Sequence, residues 1–200
     1  MELVNPVSNG VNQYGNRGDP GPRHLCFHPT LSQIVYTVDE QGNTVTSYAM
    51  RENGALSCKA LQSVPTLPRA DTPWSPRAHG ADSATSEISI TPDGSCLYAG
   101  NRHQQAVEGV RQSLGCFTVD AAGALTPAPP ALLDHSAQAI CVSPDGSTVY
   151  AAGGDDDEQG LLTVFSVDTA TAALTQTGVI HPGSGPMCVR SLELPSTANL

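Results

Sequence analysis

Short runs of alternating apolar and polar residues, each closed by a proline or glycine turn, make up most of the chain. The clearest are "LCFHPTLSQIVYTV", "ISITPDGSCLYAG" and "ICVSPDGSTVYAA". A period of two belongs to a strand with one buried face, so an apolar run on each side of a Pro-centred turn reads as a β-hairpin. Every hairpin carries a tyrosine in its second run, at Tyr36, Tyr98 and Tyr150. An alternating run with one aromatic follows each: "TVTSYAM", "LGCFTVD" and "LTVFSVD". A leucine among small residues comes next, at Leu56, Leu125 and Leu174, where a fourth strand is expected to begin.

The repeating unit is therefore four antiparallel strands, marked by Pro29, Pro92 and Pro144. Four strands at this period is the pattern of a β-propeller blade, and no helical periodicity interrupts it. The expected fold is all-β: about three blades plus a partial one, an incomplete ring. A β-solenoid, or unrelated hairpins in a sandwich, are the alternatives. Blades are expected over about 21–66, 87–134 and 137–183, with the start of another over 184–200. Residues 1–20 read as a leader or the end of a preceding blade. The Pro- and Ser-rich stretch 67–86, which holds Trp74, reads as an insertion loop. Three blades do not close a propeller, so either further blades precede the chain in a longer protein or a second chain supplies them.

Composition narrows the function classes. The charge of −10, with no cluster of Lys or Arg, excludes a phosphate-backbone binder. No apolar run approaches the length of a membrane span, and the expectation is a soluble cytoplasmic protein without a membrane partner. The six cysteines form no C-x-x-C pair and sit mostly in strand-like runs, which points to reduced core residues. "DDDE" at 155–158 lacks the alternating oxygen ligands of a calcium loop and reads as a solvated acidic loop. Neither a G-x-S-x-G elbow nor an H-E-x-x-H pair is present.

Chemistry gathers at one end of the hairpins. Antiparallel pairing sets the residue before the first strand beside the residue after the second. One rim therefore collects Arg23, His24, Asp39 and Glu40 in the first unit, and Glu87, Asn101, Arg102 and His103 in the second. In the third it collects Ser136, Gln138, Gly153, Gly154 and Asp155. First strands line a propeller's channel, so this rim would surround its mouth. Two arginines and a carboxylate converging there make an anion site with a proton-transfer group, since arginine grips carboxylate or phosphate with two prongs and glutamate exchanges protons when its surroundings allow. The same residues would equally serve as ion pairs tying strand ends together.

"GPRHLCFHP", "YTVDEQGNTVTSY", "HGADSATSEISITPDGSCLYAGNRH" and "GVIHPGSGPMCVR" resemble the characteristic segments of the seven-bladed lactonase family, in the family's order. That family includes bacterial 6-phosphogluconolactonase and the fungal carboxymuconate lactonizing enzyme. The resemblance implies a cofactor-free, metal-free site at one mouth of the channel, built from Arg23, Glu40 and Arg102 as catalytic residues, with His24, Glu87 and His103 in supporting substrate-binding segments. It implies hydrolysis of a small anionic sugar lactone, with Glu40 activating water and the arginines holding the anion; lactonization of a carboxymuconate would use the same groups. A family histidine from an earlier blade has no counterpart here, and the third unit reads "SAQAICVSPDG" where the family commonly has an arginine–histidine pair. A non-catalytic propeller fragment or binding module is the reading of a different class.

Overall fold

A computed structural model describes residues 21–67, 83–103, 112–154 and 159–193 of the chain. Twelve strands form three four-stranded sheets. The first holds β1 (Pro22–Phe27), β2 (Ile34–Asp39), β3 (Thr44–Met50) and β4 (Leu56–Pro65). The second holds β5 (Ser83–Ile90), β6 (Cys96–His103), β7 (Gln112–Val119) and β8 (Leu125–Leu133). The third holds β9 (Ala139–Val142), β10 (Thr148–Gly153), β11 (Gln159–Asp168) and β12 (Ala173–Ser184). Strand order follows the chain within each sheet, and all pairs are antiparallel. Among the described residues there is no helix, and hence none able to cross a membrane.

The sheets stand face to face as propeller blades. First strands neighbour each other, β1 beside β5 and β5 beside β9, while the last strands β4, β8 and β12 follow one another at the far side. Because strand side chains alternate, each middle blade offers one apolar face to each neighbour. Leu97, Ala99 and Phe117 of the second blade pack with Tyr36, Val38, Val45 and Val64 of the first. On its other face, Tyr98, Leu114 and Cys116 pack with Ile140, Val149 and Phe165 of the third. The repeated tyrosine anchors this joint: the Tyr36 hydroxyl, fully buried, donates to the Gly123 carbonyl at 2.8 Å. Burying a ring of that size stabilises by roughly 1.5–3 kcal/mol, and the hydrogen bond prevents an unpaired hydroxyl from cancelling the gain.

The hairpin turns explain the recurring punctuation within the repeats. In the second and third blades Asp93 and Asp145 accept from the amides of Ser95 and Ser147 at 2.9 and 3.0 Å. The first blade has His28 instead, whose Nδ1 accepts from the amides of Thr30 and Leu31 at 3.2 and 3.0 Å. Its ring lies against Gly94, where φ is +80° and an added Cβ would fall 2.3 Å from the ring. Glycine is required there twice over, by conformation and by space.

Two expectations need correction. β5 begins at Ser83, inside the stretch expected to be an insertion loop, and Glu87 lies within that strand rather than before it. The segment Ser83–Glu87 is polar and lacks an apolar alternation, yet it pairs with the end of β6, Ala84 opposite Arg102 and Thr85 opposite Asn101. Thr85 and Ser86 are fully buried because their hydroxyls bond to the first and third blades. Of the cysteines, Cys96 and Cys116 are core, Cys26 and Cys141 are half-buried, and Cys58 and Cys188 are exposed. Cys58 lies on outer strand β4 and Cys188 follows the last strand, which takes both outside the packed interfaces. Trp74, most of the insertion and the 155–158 run lie outside the described residues.

Candidate functional site

The rim residues are aimed by two bulges at equivalent places. In the β1–β2 ladder the register shifts between Pro22 and His24, which leaves Arg23 as the extra residue. In the β5–β6 ladder it shifts between Thr85 and Ile88, freeing Ser86 and Glu87. A bulge lets two consecutive side chains leave the strict in-and-out alternation. Arg23 and His24 consequently both reach β5: Arg23 Nη1 donates to the Ser86 carbonyl, and His24 Nδ1 lies 2.8 Å from Glu87 Oε1.

Glu40 follows directly on β2 and is pinned at its backbone. Its amide donates to the Gly21 carbonyl at 2.7 Å, its carbonyl accepts from the Thr85 amide at 3.3 Å, and the Thr85 hydroxyl bonds the adjacent Asp39 carbonyl at 2.7 Å. The blade-one rim is thereby tied to the first strand of blade two. From that position Glu40 Oε1 receives both arginines, Arg102 Nη2 by a direct charge-assisted hydrogen bond and Arg23 Nε at 3.8 Å. Arg102 spends its other prong on the third blade, Nη1 donating to Gln138 Oε1 at 3.0 Å. The structure thus brings Arg23, Glu40 and Arg102 together, with His24 and Glu87 beside them. His103 ends β6, and its side chain lies outside the described residues.

Three blades contribute to one cluster of two guanidinium groups and one carboxylate, a surplus of one positive charge. The side chains of Arg102, Arg23 and Glu40 are 17%, 26% and 35% exposed, so the cluster is shielded on the protein side and open on the other. Burial pulls Arg102 below the ordinary arginine value, the nearby Arg23 charge adds to this, and Glu40 opposes it. Among the described residues the buried Nε of Arg102 has no partner. A buried guanidinium donor left unpaired is costly. This is the arrangement of an anion clamp held in a resting state by its own carboxylate.

Sequence reasoning put Gln138 on the rim without giving it a role, and did not identify the Ser86 carbonyl. Aligning the blades on their turn prolines supplies the signal: Arg23, Ser86 and Gln138 stand at one repeat position, six residues before each proline. Aligning on the tyrosines makes Glu40, Arg102 and Gly154 equivalent, four residues after each. The partners of the clamp come from two repeated positions filled differently in successive blades.

Beneath the clamp lies a second polar cluster. Asp39 is 1% exposed and accepts from the hydroxyls of Thr37, Thr44 and Thr46 at 3.1, 2.7 and 2.6 Å. Burial raises this carboxyl above its ordinary value, with the three hydroxyls opposing. Asn101, its equivalent in blade two, donates to the Thr66 carbonyl and the Ser113 hydroxyl, both at 3.2 Å. These groups brace the ends of β2 and β6 immediately before Glu40 and Arg102.

Comparison with known proteins agrees with this architecture. The family model described as lactonase, 7-bladed beta-propeller, matches residues 5–191. A 6-phosphogluconolactonase of Photorhabdus laumondii is 29% identical over 177 residues, covering 87% of this chain and 46% of that protein. The enzyme of the same description from Xenorhabdus nematophila is 30% identical over 176 residues with the same two coverages. Among solved structures, the periplasmic gluconolactonase PpgL of Pseudomonas aeruginosa superposes with a TM-score of 0.65 at 24% identity, over 83% of this chain and 41% of that one, a likeness of fold. The chain spans less than half the length of these relatives.

Proposed function

The chain belongs to the seven-bladed β-propeller lactonase family, and we propose that it opens the ring of a small anionic sugar lactone by hydrolysis, in the manner of a 6-phosphogluconolactonase. The observation that carries this reading is Glu40 Oε1 held between Arg23 and Arg102, which come from successive blades. An arriving carboxylate or phosphate competes with Glu40 for Arg102. Displaced from Arg102, Glu40 becomes available to take a proton from water. Arg23, with one prong fixed on the Ser86 carbonyl, keeps its orientation and stabilises the oxyanion that forms at the lactone carbonyl. Lactonization of a carboxymuconate calls on the same clamp and the same carboxylate.

A binding module without turnover is the second reading, favoured by the rim of the third blade, which carries Gln138 and Gly154 at the repeat positions of Arg23 and Glu40. Acid release from 6-phosphogluconolactone, followed at constant pH, separates the readings. The hydrolytic reading expects a rate at least tenfold above the spontaneous one. A spontaneous rate with saturable binding of 6-phosphogluconate leaves the binding module, and neither rate nor binding overturns both.

A further inference from the structure

Glu40 accounts for the proton taken from water, but ring opening also produces an alkoxide that must gain one. The structure points to a donor: we propose that His24, oriented by Glu87, is the general acid that protonates the departing ring oxygen. This assignment rests on the lactone reading above.

The geometry distinguishes His24 from the buried histidines His28 and His135, and from His181, which lies on β12, the outer strand of the third blade. His28 is buried, with Nδ1 taken by backbone amides. His135 is also buried, with Nδ1 2.9 Å from the Ser136 carbonyl and Nε2 2.9 Å from the Thr163 hydroxyl. Both are structural. His24 is 43% exposed at its side chain, and its Nδ1 meets a carboxylate that is itself only 14% exposed. Glu87 is held in turn by the Ile88 amide, which donates to the same Oε1 at 3.2 Å. A carboxylate only accepts, so the hydrogen lies on Nδ1 and Nε2 is left to exchange protons. An imidazole held at one nitrogen by a fixed carboxylate, with the other nitrogen unclaimed among the described residues, is the constellation of a general acid–base histidine.

Position supports the same role. The two bulges place His24–Glu87 and Arg23–Ser86 as neighbouring bridges across one blade joint. The charged and titratable groups around the imidazole are Glu87 on β5, Arg23 and Cys26 on β1, and Glu40 and Arg102 beyond Arg23. Burial, with Glu87 adding to it, pushes the Cys26 thiol up to about 12, which keeps it protonated and out of the proton traffic.

The step balances. Water oxygen bonds to the carbonyl carbon as its proton passes to Glu40, giving the tetrahedral oxyanion between the arginines. The ring C–O bond then breaks, and the departing oxygen takes the Nε2 proton of the His24 imidazolium. The proton on Glu40 returns to His24, and the new carboxylic acid ionises, which accounts for the acid released.

Leaving groups provide the test. A sugar lactone expels an alkoxide that needs a proton, whereas a carboxylate-bearing dihydrocoumarin, which offers Arg102 an anion in the same way, expels a stable phenolate that does not. His24→Gln is expected to lower kcat on 6-phosphogluconolactone on the order of 100-fold, with KM within a few fold, and to lower dihydrocoumarin turnover by less than about threefold. Glu87→Ala is expected to show the same asymmetry at about tenfold. Retained turnover of the aromatic lactone also certifies that the variants fold. Equal losses on both lactones, or none on either, overturn the acid role while leaving the hydrolytic reading intact. A wild-type rate at the spontaneous level removes the hydrolytic reading and the acid with it.

Discussion

The rims of the first two blades and that of the third are built on one backbone plan and filled with opposite chemistry. At the position six residues before the turn proline the blades carry Arg23, Ser86 and Gln138, and four residues after the tyrosine they carry Glu40, Arg102 and Gly154. Charge therefore sits at the joint between blades one and two, while blade three offers one amide oxygen to Arg102. Its backbone shows why it holds no more. The Gln138 amide donates to the Ala152 carbonyl at 2.9 Å, and a Cβ on Gly153 would fall 1.7 Å from the Ser136 carbonyl. The strand ends close on each other where Asp39 and Asn101 stand in the earlier blades. A repeat scaffold can thus hold its interfaces constant and place its reactive groups at a single joint, because rim positions are free of the packing that fixes the strands.

The largest effect is expected where the two rims meet. Arg102→Ala removes the group that touches all three blades and leaves Glu40 paired only with Arg23. Turnover of 6-phosphogluconolactone should fall on the order of 100-fold or more. The thermal midpoint should move by only a few degrees, because the Tyr36 and Tyr98 interfaces remain. A comparable loss from Gly154→Ala would break the contrast between the rims.

Asp39 gives the next effect, on stability. Asp39→Ala leaves three threonine hydroxyls without their acceptor and should cost about 2–3 kcal/mol in urea unfolding. Its pH dependence runs opposite to that of the surface turns. Since the folded state raises the Asp39 value above the ordinary 3.8, its contribution is greatest below that value and declines as pH rises through the raised one. Asp145 is pulled down to about 2, first by the Ser143 hydroxyl, so its contribution is present above 3.8 and is lost as pH falls toward 2. The stability gap between wild type and Asp39→Ala should therefore narrow as pH rises from below 3.8 through the raised value. A gap that widens over that range would contradict a buried carboxyl at this joint.

Most of the fold was legible because alternation and turn chemistry are local signals. Strands such as β2, β6 and β10 declare themselves by period two, and "PDGS" declares the turn between strands. The start of β5 was not legible: "SATSE" is polar, and it is a strand only because β6 and the neighbouring blades supply its hydrogen bonds. At the site, antiparallel pairing predicted that Arg23 and Glu40 would share a rim, and repeat equivalence placed Arg102 on the same side. Two partners of the arginines were not predictable: Gln138, which meets Arg102, lies on another blade, and the Ser86 carbonyl, which meets Arg23, leaves no mark in sequence. The bulges that turn Arg23 and His24 toward the same strand also carry no residue signature here.

Arg23 and Arg102 should act as one clamp across the joint of the first two blades, and NMR of their side-chain Nε–Hε groups during titration with 6-phosphogluconate tests this most directly. The account predicts that both resonances move along a single saturable curve with one midpoint. Movement of only one, of neither, or of both with separate midpoints would contradict it.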